Sequence, residues 1–184
     1  VTPLDGIDIK TNIDRTIQYV VEKNLAIGMQ KYGAAAGSVI VMRPRDGAVL
    51  ALAVSPTFEP EKFEKYEQSD FLNPAISQSF EPGSIFKVLV MSSALDAGVI
   101  KPEDKCDICS GRYVVGEYSI GTWDDKYYPN SSATEIIQHS DNVGMVWVGE
   151  KLGLDKMYEY LQGFGIGKLT GIDLQGEASP ALRK

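Results

Sequence analysis

The chain has 184 residues, 43% of them hydrophobic and 23% charged, an ordinary globular composition that argues against a disordered chain. Eighteen Lys and Arg stand against 25 Asp and Glu, a formal net charge of -7, which argues against the basic face that nucleic acid or an anionic membrane surface requires. No apolar run approaches the roughly 20 residues of a bilayer-spanning helix, and Val1-Thr2-Pro3-Leu4-Asp5 lacks the basic and apolar regions of an export signal.

In chain order, Asn12 to Lys31 reads as an amphipathic helix, with Ile17, Val20, Val21, Leu25 and Met29 at helical spacing and Gly33 as its C-cap. Ser38 to Met42 and Ala48 to Val54 follow as two apolar strands around the turn signal Arg45-Asp46-Gly47, a β-hairpin. Neither run alternates apolar with polar residues, so both strands are expected in a sheet covered on both faces. A two-stranded ribbon is marginal by itself, so the pattern implies neighbouring strands that these residues do not supply. Thr57 to Ala75 is polar and read as loop, with Pro56, Pro60 and Pro74 around it. Ser84 to Ala97 is a helix, apolar enough to be buried on most sides, and Gly98 stops it. Lys101 to Asn130 reads as irregular. Ser132-Ala133-Thr134-Glu135 is a capping box that opens a helix through Gln138 or His139. Helices Val143 to Leu152 and Asp155 to Gln162 end at Gly153 and Gly163.

The sharpest chemical feature is Ser84-Ile85-Phe86-Lys87. A lone S-x-x-K is expected about once by chance in a chain of this length, so its setting carries the weight. Pro82-Gly83 precedes it and a buried helix follows. Ser84 then sits in a first helical turn, whose free N–H groups suit a developing oxyanion. Lys87, three residues on, shares its face. The apolar residues after Lys87 desolvate it, and a neutral lysine can accept the serine proton and activate the nucleophile. The plainer alternative is a serine cap beside a snorkelling lysine. Ser140-Asp141-Asn142 falls in a short turn between two helices. There Ser140 can relay a proton, and Asn142 can bond both Lys87 and a substrate amide. Helix capping is the plainer alternative, and Asp141 receives no direct chemical role.

Other features point away from chemistry. His139 is the only histidine, and as the neighbour of Ser140 on a helix it faces another way, so a surface or structural role is expected. Cys106 and Cys109 form one C-x-x-C in loop surroundings; with a single histidine they are too few for zinc, and a structural pair, free or disulfide-bonded, is the reading. No metal or cofactor is expected. Gly163-Phe164-Gly165-Ile166-Gly167 ends a helix and so reads as a turn, not a dinucleotide loop. Asn130-Ser131-Ser132 fits a glycosylation sequon but serves better as the lead into the capping box.

These segments together resemble a class B penicillin-binding protein, a monofunctional peptidoglycan transpeptidase. The resemblance runs through Gly6-Ile7-Asp8-Ile9-Lys10-Thr11-Asn12-Ile13-Asp14 and the hairpin into Ser55-Pro56-Thr57-Phe58. It continues in Phe80-Glu81-Pro82-Gly83-Ser84-Ile85-Phe86-Lys87 and Ser140-Asp141-Asn142-Val143-Gly144-Met145. It closes on Phe164 to Gly167, Thr170 to Leu174 and Gly176-Glu177. The family's third motif, K-T-G or K-S-G, is absent; Lys168-Leu169-Thr170-Gly171 carries an extra residue and stands in the wrong place.

The resemblance implies an α+β fold of the penicillin-binding-protein and serine β-lactamase type: an antiparallel sheet flanked by helices, with an all-helical subdomain. The chain would be the N-terminal two-thirds of that domain, with the C-terminal strands missing. Residues 1–65 would form its sheet part, 66–165 a mainly helical subdomain, and 166–184 a return toward the sheet. It implies that Ser84 attacks the D-alanyl-D-alanine bond of a stem peptide, with Lys87 as base, Ser140 as proton shuttle and Asn142 as substrate-binding group. β-Lactams would trap Ser84 as an acyl-enzyme. Implied partners are peptidoglycan stem peptides, β-lactams and other cell-wall synthesis proteins, with no nucleic acid. The implied location is the periplasmic or extracytoplasmic face of the bacterial membrane, through an N-terminal anchor outside this chain. Two other readings remain: a non-catalytic penicillin-binding sensor or scaffold, and a serine β-lactamase. The latter needs a deacylating base, for which Glu117 and Glu135 are candidates only by default.

Overall fold

The structure, a computed structural model, describes residues 6, 8–178 and 181–182. Ile7 of the opening segment of the resemblance, and residues 179–180 and 183–184 of the return segment, lie outside the described residues. The described chain forms two compact units. The first runs up to Ser79 and includes Ile172–Ala178; the second holds Phe80–Gly171 with Ala181 and Leu182.

In the first unit, helix α1 (Arg15–Tyr32) starts three residues later than the apolar spacing suggests. Asp14 sets the start, because its carboxylate accepts from the N–H groups of Thr16 and Ile17 at 2.9 and 3.0 Å. Gly33 ends it in the left-handed conformation, as expected. Strands β1 (Gly37–Met42) and β2 (Val49–Ser55) pair antiparallel, with Val39 opposite Ala53 and Val41 opposite Ala51. α1 packs along β2. There the Gln18 amide acts as a strand partner: its Nε2 donates to Leu52 O at 3.1 Å and its Oε1 accepts from Leu52 N at 2.8 Å.

Among the described residues the two strands are covered unevenly, in keeping with a sheet whose neighbouring strands these residues do not supply. Ala51 and Ala53 of β2 are buried, but β1 alternates half-buried and exposed positions, and Ile40 and Met42 stand out at 47% and 54% exposure. α1 packs on both strands and α2 meets β1, while the side of β1 that carries Ile40 and Met42 stays exposed among the described residues. The stretch read as loop also holds structure: 3-10 turns at Pro60–Lys65 and Gln68–Phe71, then a one-turn helix α2 (Pro74–Ser77) capped by Asn73. Residues 172–178 return to this unit, where Ala178 N donates to Ile76 O at 2.8 Å.

The second unit is mostly helical. A 3-10 turn at Gly83–Phe86 leads directly into α3 (Lys87–Asp96). α3 is less buried than its composition suggests: Val90, Met91 and Ala94 enter the core, while Val88 is exposed. α4 (Ala133–His139) opens on the expected capping box, Ser132 and Glu135 satisfying each other's backbone N–H groups. α5 (Asn142–Leu152) and α6 (Leu154–Gly163) follow. α3 packs against α4, α5 and α6, around a core that includes Ile136, Trp147 and Val148.

The irregular reading of residues 101–130 needs one correction. It contains a small hairpin, β3 (Tyr113–Val115) and β4 (Tyr118–Ile120), joined by Gly116-Glu117. Gly116 takes a positive φ of 57°, which the mirror-image turns of two-residue hairpins require. Strands of three residues are too short to show a period in sequence. The state of Cys106 and Cys109, left open above, is a disulfide, fully buried in the core of this unit.

Candidate active site

The four candidate residues all lie in the second unit and converge. Gly83 enters the 3-10 turn with φ of 59°, a conformation that costs a glycine nothing. In a 3-10 turn, residues three apart eclipse each other, so Ser84 and Lys87 line up on one face; the backbone N–H of Lys87 donates to Ser84 O. Ser84 is exposed and Lys87 half-buried.

The second group sits where α4 gives way to α5. Ser140 ends α4 in the left-handed conformation, φ 53° and ψ 42°, which is unusual for a residue with a side chain. This backbone bend turns both its carbonyl and its hydroxyl toward Lys87. Lys87 Nζ donates to Ser140 O at 2.6 Å and to Ser140 Oγ at 3.0 Å. Its third bond goes to Asn142 Oδ1, at 2.6 Å. The other end of the Asn142 amide donates to Gly121 O at 2.9 Å, which fixes the orientation of the carboxamide. Ser140 Oγ in turn donates to Ser84 Oγ at 3.1 Å. The hydroxyl of Ser140 therefore stands between nucleophile and lysine.

Three acceptors around Nζ match the three N–H bonds of an ammonium. Burial nevertheless pushes the Lys87 pKa below its ordinary 10.5, and the Asp141 carboxylate pulls the other way. A lysine so placed gives up its proton more readily than a surface lysine. In the neutral form its lone pair can accept from Ser140 Oγ–H, while Ser140 Oγ accepts from Ser84 Oγ–H. The hydroxyl hydrogens rotate, so the same three heavy atoms serve both protonation states.

Two contributors were not legible beforehand. Gly121 holds Asn142 through a backbone carbonyl, which no side-chain pattern announces. Asp141, given no role from sequence, is buried to 1% exposure. Its Oδ1 caps α5 by accepting from Val143 N at 2.8 Å and Gly144 N at 3.1 Å. Of the residues set aside, His139 stacks face to face on Tyr128, with ring centroids 3.9 Å apart. Glu135 is occupied by the capping box and by Lys105, and its pKa is lowered to about 2. Such a carboxylate is a poor base at neutral pH. Glu117 lies in the β3–β4 turn. No cluster of His, Cys, Asp and Glu suited to a metal ion occurs among the described residues.

Comparison with known proteins identifies the family and the fold. The family model described as the penicillin binding protein transpeptidase domain matches residues 37–183. Stage V sporulation protein D of Bacillus subtilis is 30% identical over 181 residues, 98% of this chain and 28% of that protein. The probable peptidoglycan D,D-transpeptidase PenA of Neisseria gonorrhoeae is 32% identical over 184 residues, 98% of this chain and 30% of that protein. Among solved structures, the apo TP domain of Burkholderia pseudomallei penicillin-binding protein 3 superposes with a TM-score of 0.81 at 27% identity, covering 98% of this chain and 49% of that one. Penicillin binding protein 3 of Mycobacterium tuberculosis, complexed with aztreonam, gives 0.81 at 30% identity over 91% of this chain and 37% of that one. The chain thus spans under a third of the length of these curated relatives. The mixed α/β architecture with small antiparallel sheets is that of the penicillin-binding-protein and β-lactamase fold.

Proposed function

The chain belongs to the penicillin-binding protein transpeptidase domain family, and on that premise we propose that it carries the nucleophile and base of a serine D,D-transpeptidase that cross-links peptidoglycan stem peptides. The observation that carries this reading is the hydrogen-bonded series Ser84 Oγ, Ser140 Oγ, Lys87 Nζ, Asn142 Oδ1. It supplies a nucleophile, a relay, a base and an orienting group in one connected set.

The chemistry runs as two acyl transfers. Ser84 Oγ attacks the carbonyl carbon between the two terminal D-alanines. Its proton passes to Ser140 Oγ, and the proton of Ser140 passes to Lys87 Nζ. When the tetrahedral intermediate collapses, the C–N bond breaks and the departing amine of D-alanine receives the proton by the reverse relay. The product is an ester between the stem peptide and Ser84. An amine of a neighbouring stem peptide then attacks that ester, loses its proton along the same path and restores Ser84. A β-lactam follows the first step only: its ring amide opens on Ser84, and the leaving amine stays tethered. Asn142 uses one amide N–H on Gly121 and keeps a second for substrate.

The remaining expectations belong to the same proposal. Neither K-T-G nor K-S-G occurs in these 184 residues, and the 184 residues by themselves are expected to label weakly. The site acts on the periplasmic or extracytoplasmic face of the membrane, alongside other cell-wall synthesis proteins.

The test is covalent labelling of the intact protein with a fluorescent penicillin. Wild type forms a stable adduct, and Ser84→Ala removes it. An adduct that persists in Ser84→Ala refutes the nucleophile assignment. Hydrolysis of the label within seconds indicates a β-lactamase, and stable labelling without peptide transfer indicates a sensor.

A further inference from the structure

In the first unit, α1 closes the outer edge of β2 rung by rung and stops one rung short. Alternate residues of an antiparallel strand aim their N–H and C=O groups toward the partner strand and away from it. Leu50, Leu52 and Val54 aim theirs away from β1. Asp14 N donates to Leu50 O at 2.8 Å, and the Gln18 amide both donates to Leu52 O and accepts from Leu52 N. Four residues of helix rise about 6 Å and two residues of strand roughly 6.6–6.8 Å, so Asp14, Gln18 and Glu22 step along α1 in time with Leu50, Leu52 and Val54. Glu22 is the third step, and it leaves its rung open. Its Oε1 accepts from Gln18 Nε2 at 2.8 Å, and a carboxylate has no N–H to give to Val54 O. The outward N–H and C=O of Val54 meet no partner among the described residues.

A cleft of about 520 Å³ lies against that rung. Its wall is apolar where Phe58 and Phe71 meet edge to face, ring centroids 5.0 Å apart, and where Leu174 returns to this unit. It is acidic where Glu22 and Asp70 stand. No Lys, Arg or His lines it. Asp70 Oδ2 accepts from Glu67 N at 2.9 Å, and neither carboxylate has a cationic partner among the described residues. An open strand rung between apolar and acidic walls suits an extended polypeptide, whose backbone pairs with the rung while alternate side chains reach the walls. A second copy of this chain is a poor occupant. A two-fold contact along this edge would set Glu22 and Asp70 against their own counterparts, like charge on like.

We propose that this cleft docks an extended, basic segment of a different protein chain, which pairs with β2 at Val54 and sets a Lys or Arg against Glu22 and Asp70. The incoming backbone donates to Val54 O and accepts from Val54 N. Apolar side chains on either side of that pair enter the cleft over Phe58, Phe71 and Leu174. One rung supplies only two backbone hydrogen bonds, so the opposite charges and the apolar wall provide much of the strength, and salt weakens the contact. The docking surface belongs to the first unit, whereas Ser84, Lys87, Ser140 and Asn142 belong to the second. Docking here is therefore independent of acyl transfer.

The probe is a fluorescein-labelled peptide, acetyl-Val-Lys-Val-Lys-Val-amide, titrated into the intact protein and followed by fluorescence anisotropy. We expect saturable binding that weakens with salt, and binding at least about tenfold weaker for the twin peptide with Glu in place of Lys. Glu22→Lys, at an exposed position, should weaken the Lys peptide about tenfold. Glu103→Lys, exposed in the second unit, changes the net charge equally and should leave binding unchanged. Val54→Pro removes the outward N–H without taking a bond from β1, and should weaken binding about tenfold, the worth of one to two hydrogen bonds. Should Val54→Pro not fold, as judged by its urea midpoint, the Lys peptide methylated at its backbone nitrogens reads the same pairing from the other side. Absence of saturable binding to the wild type overturns the proposal. Equal binding of the two peptides, or equal loss in Glu22→Lys and Glu103→Lys, reduces the contact to net charge and overturns it as well. Undiminished binding in a folded Val54→Pro protein, or by the methylated peptide, overturns the strand pairing. Sedimentation that shows a dimer dissolved by Glu22→Lys overturns it in favour of a second copy.

Discussion

The helix crossing that presents Ser140 and Asn142 to Lys87 depends on one missing methyl group. Gly144 lies in the first turn of α5, and a Cβ built there meets Ile136 Cγ1 at 2.5 Å, Cγ2 at 2.8 Å and Cδ1 at 2.9 Å. Carbon atoms rest at about 3.5–4.0 Å, so the added methyl overlaps Ile136 by up to about 1 Å. Ile136 is fully buried and cannot swing into solvent. Gly144→Ala must therefore push α5 away from α4 or force Ile136 off its rotamer. Overpacking of this kind costs about 1–3 kcal/mol, while the better helix propensity of alanine returns up to about 1 kcal/mol. The net expectation is a loss of about 1–2 kcal/mol, or roughly 2–8 °C in Tm for a chain of this size. Urea unfolding followed by tryptophan fluorescence measures it, because Trp147 is buried in the same core while Trp123 is already 84% exposed. Ile136→Ala alone should cost about 2–5 kcal/mol. In the Gly144→Ala background it should cost about 1–2 kcal/mol less, since the methyl then occupies space the isoleucine has left. A Gly144→Ala protein as stable as wild type, or strict additivity with Ile136→Ala, refutes the argument that this contact sets the crossing.

Two further outcomes are expected. Gly83→Ala places a side chain at φ 59° immediately before the nucleophile, which costs about 1–2 kcal/mol and tilts Ser84; penicillin acylation should slow several-fold, and an unchanged rate would show that the turn before Ser84 need not be left-handed. The Glu135 pKa is depressed to about 2 by the Ser132 bonds and Lys105. Its contribution to stability is therefore complete above the ordinary carboxylate value of 4.5 and is lost as pH falls toward about 2. Urea midpoints across that window should fall less steeply for Glu135→Gln than for wild type, and parallel curves would refute the capping-box origin of the shift.

Much of this molecule is written locally. The Ser132 to Glu135 capping box, the glycine at the end of α1 and the i, i+3 spacing of Ser84 and Lys87 each depend on residues within one helical turn, so spacing reveals them. The four residues read as a site were named from two short motifs for the same reason. What escaped was longer in range or shorter in pattern. The β3–β4 hairpin is too brief to show a period. The open face of β1, with Ile40 and Met42 exposed, reflects which elements cover a strand, and an apolar run cannot state that.

Residue order alone thus determined that Ser84 and Lys87 share a face and that Ser140, Asp141 and Asn142 occupy a turn between helices. Only the tertiary structure decided that this turn, more than 50 residues along the chain, closes on Lys87 with three acceptors, and that Asp141 lies buried among them rather than in solvent. The reason is physical. A cap or a turn is stabilised by its own neighbours, whereas the protonation state of a lysine is set by the charges and solvent that packing brings to it. That packing rests on contacts such as Gly144 against Ile136, whose partners neither motif contains.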